Sequence, residues 1–136
     1  TLLMAESVAE GLVKGGLKNF TMHKLSRTDP SYLIADAFRF KGLLLGAPTY
    51  NNGLYPLMEQ LLSDLRHRGL KNRLIGCFGS FTWAGQAVKH LTEFATAPGM
   101  ELVGEPVEMK QGFTRETGLK CRQLGEAMAR RILEAE

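Results

Sequence analysis

Lys41-Gly42-Leu43-Leu44-Leu45-Gly46-Ala47-Pro48-Thr49-Tyr50-Asn51-Asn52-Gly53 decides how the rest of the chain is read. Its first half is apolar without alternation, as expected of a strand covered on both faces inside a parallel sheet. Its second half turns abruptly to small, polar and turn-forming residues around a single aromatic. The change recurs downstream, where the apolar run Leu74-Ile75-Gly76-Cys77-Phe78 leads into Gly79-Ser80-Phe81-Thr82-Trp83-Ala84-Gly85.

Helical patterns separate these runs. Residues 55–68 carry Met58, Leu61, Leu62 and Leu65 at helical spacing, and residues 86–96 turn Val88, Leu91, Phe94 and Ala95 to one side. Residues 115–134 form a long helix striped by Cys121, Leu124, Met128 and Ile132, and residues 101–107 read as another strand. Upstream, Thr28-Asp29-Pro30 opens a short helix through Ala37, because a Thr or Asp cap followed by proline suits a helix start. Residues 17–25 alternate well enough for a strand. The chain opens on helical periodicity, with Ala5, Val8, Ala9 and Leu12 on one face and Gly15-Gly16 as the stop. Thr1 therefore stands in mid-motif, and something upstream is expected to have been removed or to lie outside this sequence.

Strictly alternating strands and helices imply right-handed crossovers and a parallel sheet with helices on both faces. In such sheets ligands bind beyond the carboxyl ends of the strands. Both conspicuous loops lie there. Residues 46–53 offer backbone polar groups to the edge of a flat ring; the Asn-Gly pair, usually a hairpin signal, here links a strand to a helix, so the hairpin reading is set aside. Residues 79–85 combine hydroxyls with two aromatics, and Trp83 is the chain's only tryptophan, read as core filler or as a stacking partner. Side by side, the loops would form a slot for a planar ring.

The bulk properties narrow the function. A chain of 136 residues that is 44% hydrophobic and 23% charged fits one domain over residues 1–136. Its longest apolar stretch, residues 43–48, is far short of the roughly 20 residues that cross a bilayer, which points to a soluble, cytoplasmic protein with no membrane partner. A net charge of +3 with interleaved acids argues against nucleic acid. Arg66-His67-Arg68-Gly69-Leu70-Lys71-Asn72-Arg73 is read as a solvated helix end or as a docking patch for an acidic electron-transfer partner. Cys77 and Cys121, lacking C-x-x-C spacing, read as buried reduced thiols. His23, His67 and His90 show no metal-ligand spacing and read as surface or packing residues.

Three strings carry a family resemblance: Gly46-Ala47-Pro48-Thr49-Tyr50-Asn51-Asn52-Gly53, Phe78-Gly79-Ser80-Phe81-Thr82-Trp83-Ala84-Gly85-Gln86-Ala87-Val88, and Leu119-Lys120-Cys121-Arg122-Gln123-Leu124-Gly125. Together they resemble the flavodoxin domain of A-type flavoproteins, the flavodiiron proteins, over nearly the whole chain. The resemblance implies a flavodoxin-like doubly wound sheet of order 2-1-3-4-5 and FMN as cofactor. Pro48, Thr49, Tyr50, Asn51, Asn52 and Gly53 then flank one side of the isoalloxazine, and Gly79, Ser80, Phe81, Thr82, Trp83, Ala84 and Gly85 the other. In the family a first strand and a Gly/Ser/Thr-rich loop hold the FMN phosphate at a helix N-terminus. Of that loop this sequence contains only Thr1. The missing strand would lie between residues 17–25 and residues 41–46, leaving those two about two strand spacings apart, or roughly 9 to 10 Å.

The resemblance further implies electron transfer to a di-iron centre, in a metallo-β-lactamase-like domain, that reduces oxygen or nitric oxide. The net basic charge, with a pI of about 9.0, points to a small acidic electron donor of the rubredoxin type, and homo-oligomerisation is a further expectation. A stand-alone carrier and a flavin-free interaction or assembly module are the alternatives. A phospho-receiver would need an acceptor aspartate where the strand ends in Ala47-Pro48-Thr49, and a dinucleotide-binding domain would need G-x-G-x-x-G, which does not occur.

Overall fold

The structure, a computed structural model, describes residues 2–50, 53–81, 86–110 and 112–135, with the side chain of Tyr50 excepted. In chain order the elements are α1 (Leu2–Lys14), α2 (Pro30–Arg39), β1 (Gly42–Tyr50), β2 (Gly53–Leu54), α3 (Pro56–His67), β3 (Arg73–Phe81), α4 (Ala87–Ala95), β4 (Met100–Leu102), β5 (Val107–Lys110) and α5 (Arg115–Ala135). β1 and β3 run parallel side by side, from Gly42 opposite Leu74 to Pro48 opposite Ser80. β4 and β5 both pair parallel with β3, β4 near its start and β5 near its end. This α/β arrangement is the flavodoxin-like fold expected from the sequence.

Side chains alternate across the two central strands, as the pleat requires. Leu45, Ala47, Ile75 and Cys77 face one way, into a core with Met58, Leu62 and Leu65 of α3 and Leu91 and Phe94 of α4. Leu44, Leu74 and Phe78 face the other way, towards α1 and α5. That second face is packed unusually closely. A Cβ at Gly11 of α1 would fall on the carbonyl of Arg122, and one at Gly125 of α5 on the carbonyl of Val8. The two glycines let these helices meet backbone to backbone. The expected apolar stripes of α3 and α4 are all buried, and so are Cys121, Leu124 and Met128 of α5, whereas Ile132 is half-buried.

Three local expectations need correction. Residues 17–24 form no strand. In the order 2-1-3-4-5 their ladder partner would precede α1, and alternation alone cannot satisfy a strand's backbone groups. The segment lies instead against α2, where Thr21 Oγ1 donates to Asp36 Oδ2 (2.9 Å) and His23 Nε2 sits 2.6 Å from the same oxygen. Hydrogen bonding from His23, then from Thr21, holds the Asp36 carboxyl below its ordinary range. The single strand expected over residues 101–107 is split into β4 and β5. Gly104, at φ +68°, and Pro106 lie in the break, and both resist continuation of a ladder.

A hairpin does form at the end of β1, but with Gly53 in its ladder rather than with Asn52-Gly53 as its turn. Tyr50 pairs with Gly53 and Thr49 with Leu54 in an antiparallel hairpin, with Asn51 and Asn52 between the paired residues and α3 starting almost immediately afterwards. A hairpin and a strand-to-helix connection coexist because β2 is only two residues long.

Candidate functional site

The parallel register of β1 and β3 brings the ends of both strands to one edge of the sheet, with Pro48 beside Ser80. α3 and α4 begin at this same edge, since each follows a strand that ends there. Their N-terminal N–H groups give the edge a partial positive charge. Of the expected ring residues, Pro48, Thr49, Tyr50, Gly53, Gly79, Ser80 and Phe81 are thus assembled on adjoining strands. Thr1, Asn51, Asn52, Thr82, Trp83, Ala84 and Gly85 lie outside the described residues.

The residues at this edge do different work. Gly79 is packed from within: a Cβ there would stand 2.6 Å from the Ala47 carbonyl oxygen and 3.0 Å from Val88 Cγ2, so its bareness lets α4 close onto the sheet. Phe81 is half-exposed at the last register position, opposite Lys110 of β5. Thr49 is turned towards α4. Its Oγ1 accepts from the backbone N–H groups of Gln86 (3.3 Å) and Ala87 (3.1 Å), tying the first loop to the helix that follows the second. Sequence reasoning missed this role. The available signal was the start of α4, where Gln86 stands in place of a Ser, Thr, Asp or Asn cap and makes no side-chain capping bond.

Other candidate chemistry is placed elsewhere. Cys77 and Cys121 are buried free thiols, and burial pushes them up to about 12 and about 11, which keeps them protonated and unreactive. The basic run from Arg66 to Arg73 lies at the opposite end of β3 from the ring loops, roughly 25 Å away at the usual rise per strand residue. Within it Arg66 stacks over the Phe94 ring and Arg73 bonds to backbone carbonyls, so part of the run is structural. Among the described residues no group of three or more His, Cys, Asp or Glu side chains could hold a metal ion, and no helix is long and apolar enough to cross a membrane.

No family model matches the chain. The nitric oxide reductase of Moorella thermoacetica is 36% identical over 132 residues, 96% of this chain and 33% of that protein. The rubredoxin-oxygen oxidoreductase of Megalodesulfovibrio gigas is 30% identical over 90 residues, 66% of this chain and 22% of that protein. Among solved structures, the rubredoxin oxygen:oxidoreductase of Desulfovibrio gigas matches with a TM-score of 0.90 at 25% identity, covering 96% of this chain and 32% of that one. A flavodoxin from the domain Archaea matches with a TM-score of 0.85 at 18% identity, over 98% of this chain and 90% of its own, and shows the fold alone.

A mostly parallel sheet between two helical layers, with paired loops at the carboxyl edge, defines a flavodoxin-like domain. Its homologues are flavodiiron proteins, and it spans about a third or less of the length of the curated relatives it matches. Flavodoxin-like and flavodiiron homologues bind FMN. The described edge brings Pro48, Gly53, Ser80 and the half-exposed Phe81 together on adjoining strands, small and apolar residues whose chemistry suits the face of a planar ring.

Proposed function

We propose that this chain is an FMN-binding electron-transfer domain whose ring site lies between the loop after β1 and the loop after β3. The observation that carries this reading is that the strands leading into the two loops end at one edge, joined by the Pro48–Ser80 register and by the bonds from Gln86 and Ala87 to Thr49. Bound FMN supplies the redox chemistry, accepting and releasing electrons one or two at a time. The chain's own residues bind, orient and shield. Pro48, Thr49, Tyr50, Asn51, Asn52 and Gly53 line one side of the ring, and Gly79 through Gly85 the other, with Trp83 as its aromatic neighbour. Two helix N-termini at the edge favour negative charge on whatever occupies it.

In the longer protein the domain passes electrons to a di-iron centre, held in a metallo-β-lactamase-like domain, for reduction of oxygen or nitric oxide. The identities to a nitric oxide reductase and to a rubredoxin-oxygen oxidoreductase support this. Its donor is a small acidic protein of the rubredoxin type, suited to a chain of net charge +3. A cytoplasmic setting is consistent with that partnership. The purified protein should carry the visible absorption bands of oxidised flavin, and reduced rubredoxin should bleach them. A colourless protein that takes up no added FMN would leave the flavin-free assembly module as the better account.

A further inference from the structure

The start of α4 presents a problem that its own sequence does not solve. The residue at the N-cap, Gln86, has helical φ and ψ (−105°, −28°) and offers no capping bond from its side chain. The first N–H groups of any helix lack intrahelical partners and need acceptors from elsewhere. Here a single oxygen from another element serves the cap residue and the first helical residue: Thr49 Oγ1, at the end of β1, takes the N–H of Gln86 at 3.3 Å and that of Ala87 at 3.1 Å. Residues 37 and 38 positions apart in the chain are thereby joined at one atom.

Two features make this bond more than a local cap. Thr49 belongs to the strand that leads into the first ring loop, and Gln86 is the first described residue after the second. The bond therefore sets how far the start of α4 stands from the end of β1, the two points from which the loops are anchored. A threonine hydroxyl has two acceptor positions and one proton to give. With both acceptor positions engaged by Gln86 and Ala87, the remaining capacity of Thr49 is to donate.

We propose that Thr49 is a positioning residue, whose hydroxyl clamps the N-terminus of α4 to the end of β1 and so holds the two ring-flanking loops at the separation a flavin ring requires. This rests on the ring site proposed above. The role is distinct from simple contact with the ring, because it exists in the flavin-free protein. It is also distinct from simple capping. A cap that served stability alone would change the melting temperature and leave flavin affinity untouched.

The test compares Thr49→Val, which keeps the shape and removes the acceptor, with Thr49→Ser, which restores the hydroxyl. Amide hydrogen exchange is read in the flavin-free protein, and FMN affinity by titration of flavin fluorescence. In Thr49→Val, exchange at Gln86 and Ala87 should accelerate roughly tenfold, the size of a lost helix cap, while Leu91 in the middle of α4 exchanges as before. FMN affinity should fall by a similar factor, and Thr49→Ser should recover both. Unchanged exchange at Gln86 and Ala87 would overturn the clamp. Faster exchange with unchanged FMN affinity would overturn its positioning role. A wild-type protein that takes up no FMN would overturn the ring site and the positioning role with it, whereas the exchange rates would still decide whether the clamp exists.

Discussion

The two ends of the central strands are fastened differently. At the end away from the ring loops, charged side chains lash elements together: Arg73 donates to the carbonyls of Ala37 (3.0 Å), Phe38 (2.9 Å) and Lys71 (2.9 Å), and Lys41 Nζ donates to Asn72 O (2.9 Å). Arg131 of α5 reaches Glu101 of β4 with two bonds of 2.8 and 3.0 Å. At the ring end the ties among the described residues are of another kind, including the Thr49 hydroxyl, a two-residue hairpin, the β3–β5 ladder and a glycine contact. The difference follows from the demands on each end. A ligand edge must leave polar groups unspent, so the rigidity that supports it is concentrated where no ligand comes. Stability and ring binding should therefore respond to different substitutions.

The substitution expected to break that separation most strongly is Gly79→Val, because this residue serves both. Its new side chain would press on the Ala47 carbonyl and on Val88, both of which belong to the closure of α4 over the sheet. Overpacking of this kind costs about 3 kcal/mol, and it acts one residue below the Pro48–Ser80 pair. Chemical denaturation should show that loss, and FMN affinity should fall with it. A stable variant with normal affinity would mean that the ring edge is more loosely coupled to the core than the register suggests.

The halves of the molecule were unequally legible in the sequence. β1 and β3 stand out as continuous apolar runs, and α3 and α4 as strict helical periods, because burial on both faces or on one stripe leaves a local imprint. Residues 17–25 misled because alternation records a preference while a strand needs a partner. The break between β4 and β5 was signalled by Gly104 and Pro106, yet the apolar residues Leu102, Val103 and Val107 on either side concealed it. At the site the loops themselves were legible from composition and from the resemblance. The bond from Thr49 to α4 was not, since it joins residues far apart in sequence and depends on the register of β1 with β3.

Arg73→Met tests the other end and should have the next largest effect. The variant keeps much of the aliphatic stem but leaves the carbonyls of Ala37, Phe38 and Lys71 without this donor. Hydrogen bonds from a charged group that is partly buried are worth about 2 kcal/mol when lost together with their acceptor's satisfaction. Denaturation should show a drop of about that size, with FMN affinity unchanged because β3 separates the site from the lesion. A large loss of FMN affinity at preserved stability would show that the two ends communicate.

The smallest effect belongs to the Glu101–Arg131 pair, and its signature is a pH dependence. Both side chains are substantially exposed, so solvent screens their attraction. The hydrogen bond from Arg131, ahead of its charge, holds the Glu101 carboxyl below its ordinary value of 4.5. A carboxyl lowered on folding contributes stability above its unfolded value and loses that contribution as pH falls through the folded one. Wild type should therefore melt slightly above Glu101→Gln near neutrality, and the gap should narrow as pH falls from about 4.5. Added salt should narrow it too at neutral pH. FMN affinity should be equal in the two proteins, since the pair sits at the end of the sheet away from the ring loops. A gap independent of pH would assign its origin to packing of the Arg131 stem over β4, leaving Arg73 and Lys41 as the charged groups that fasten that end.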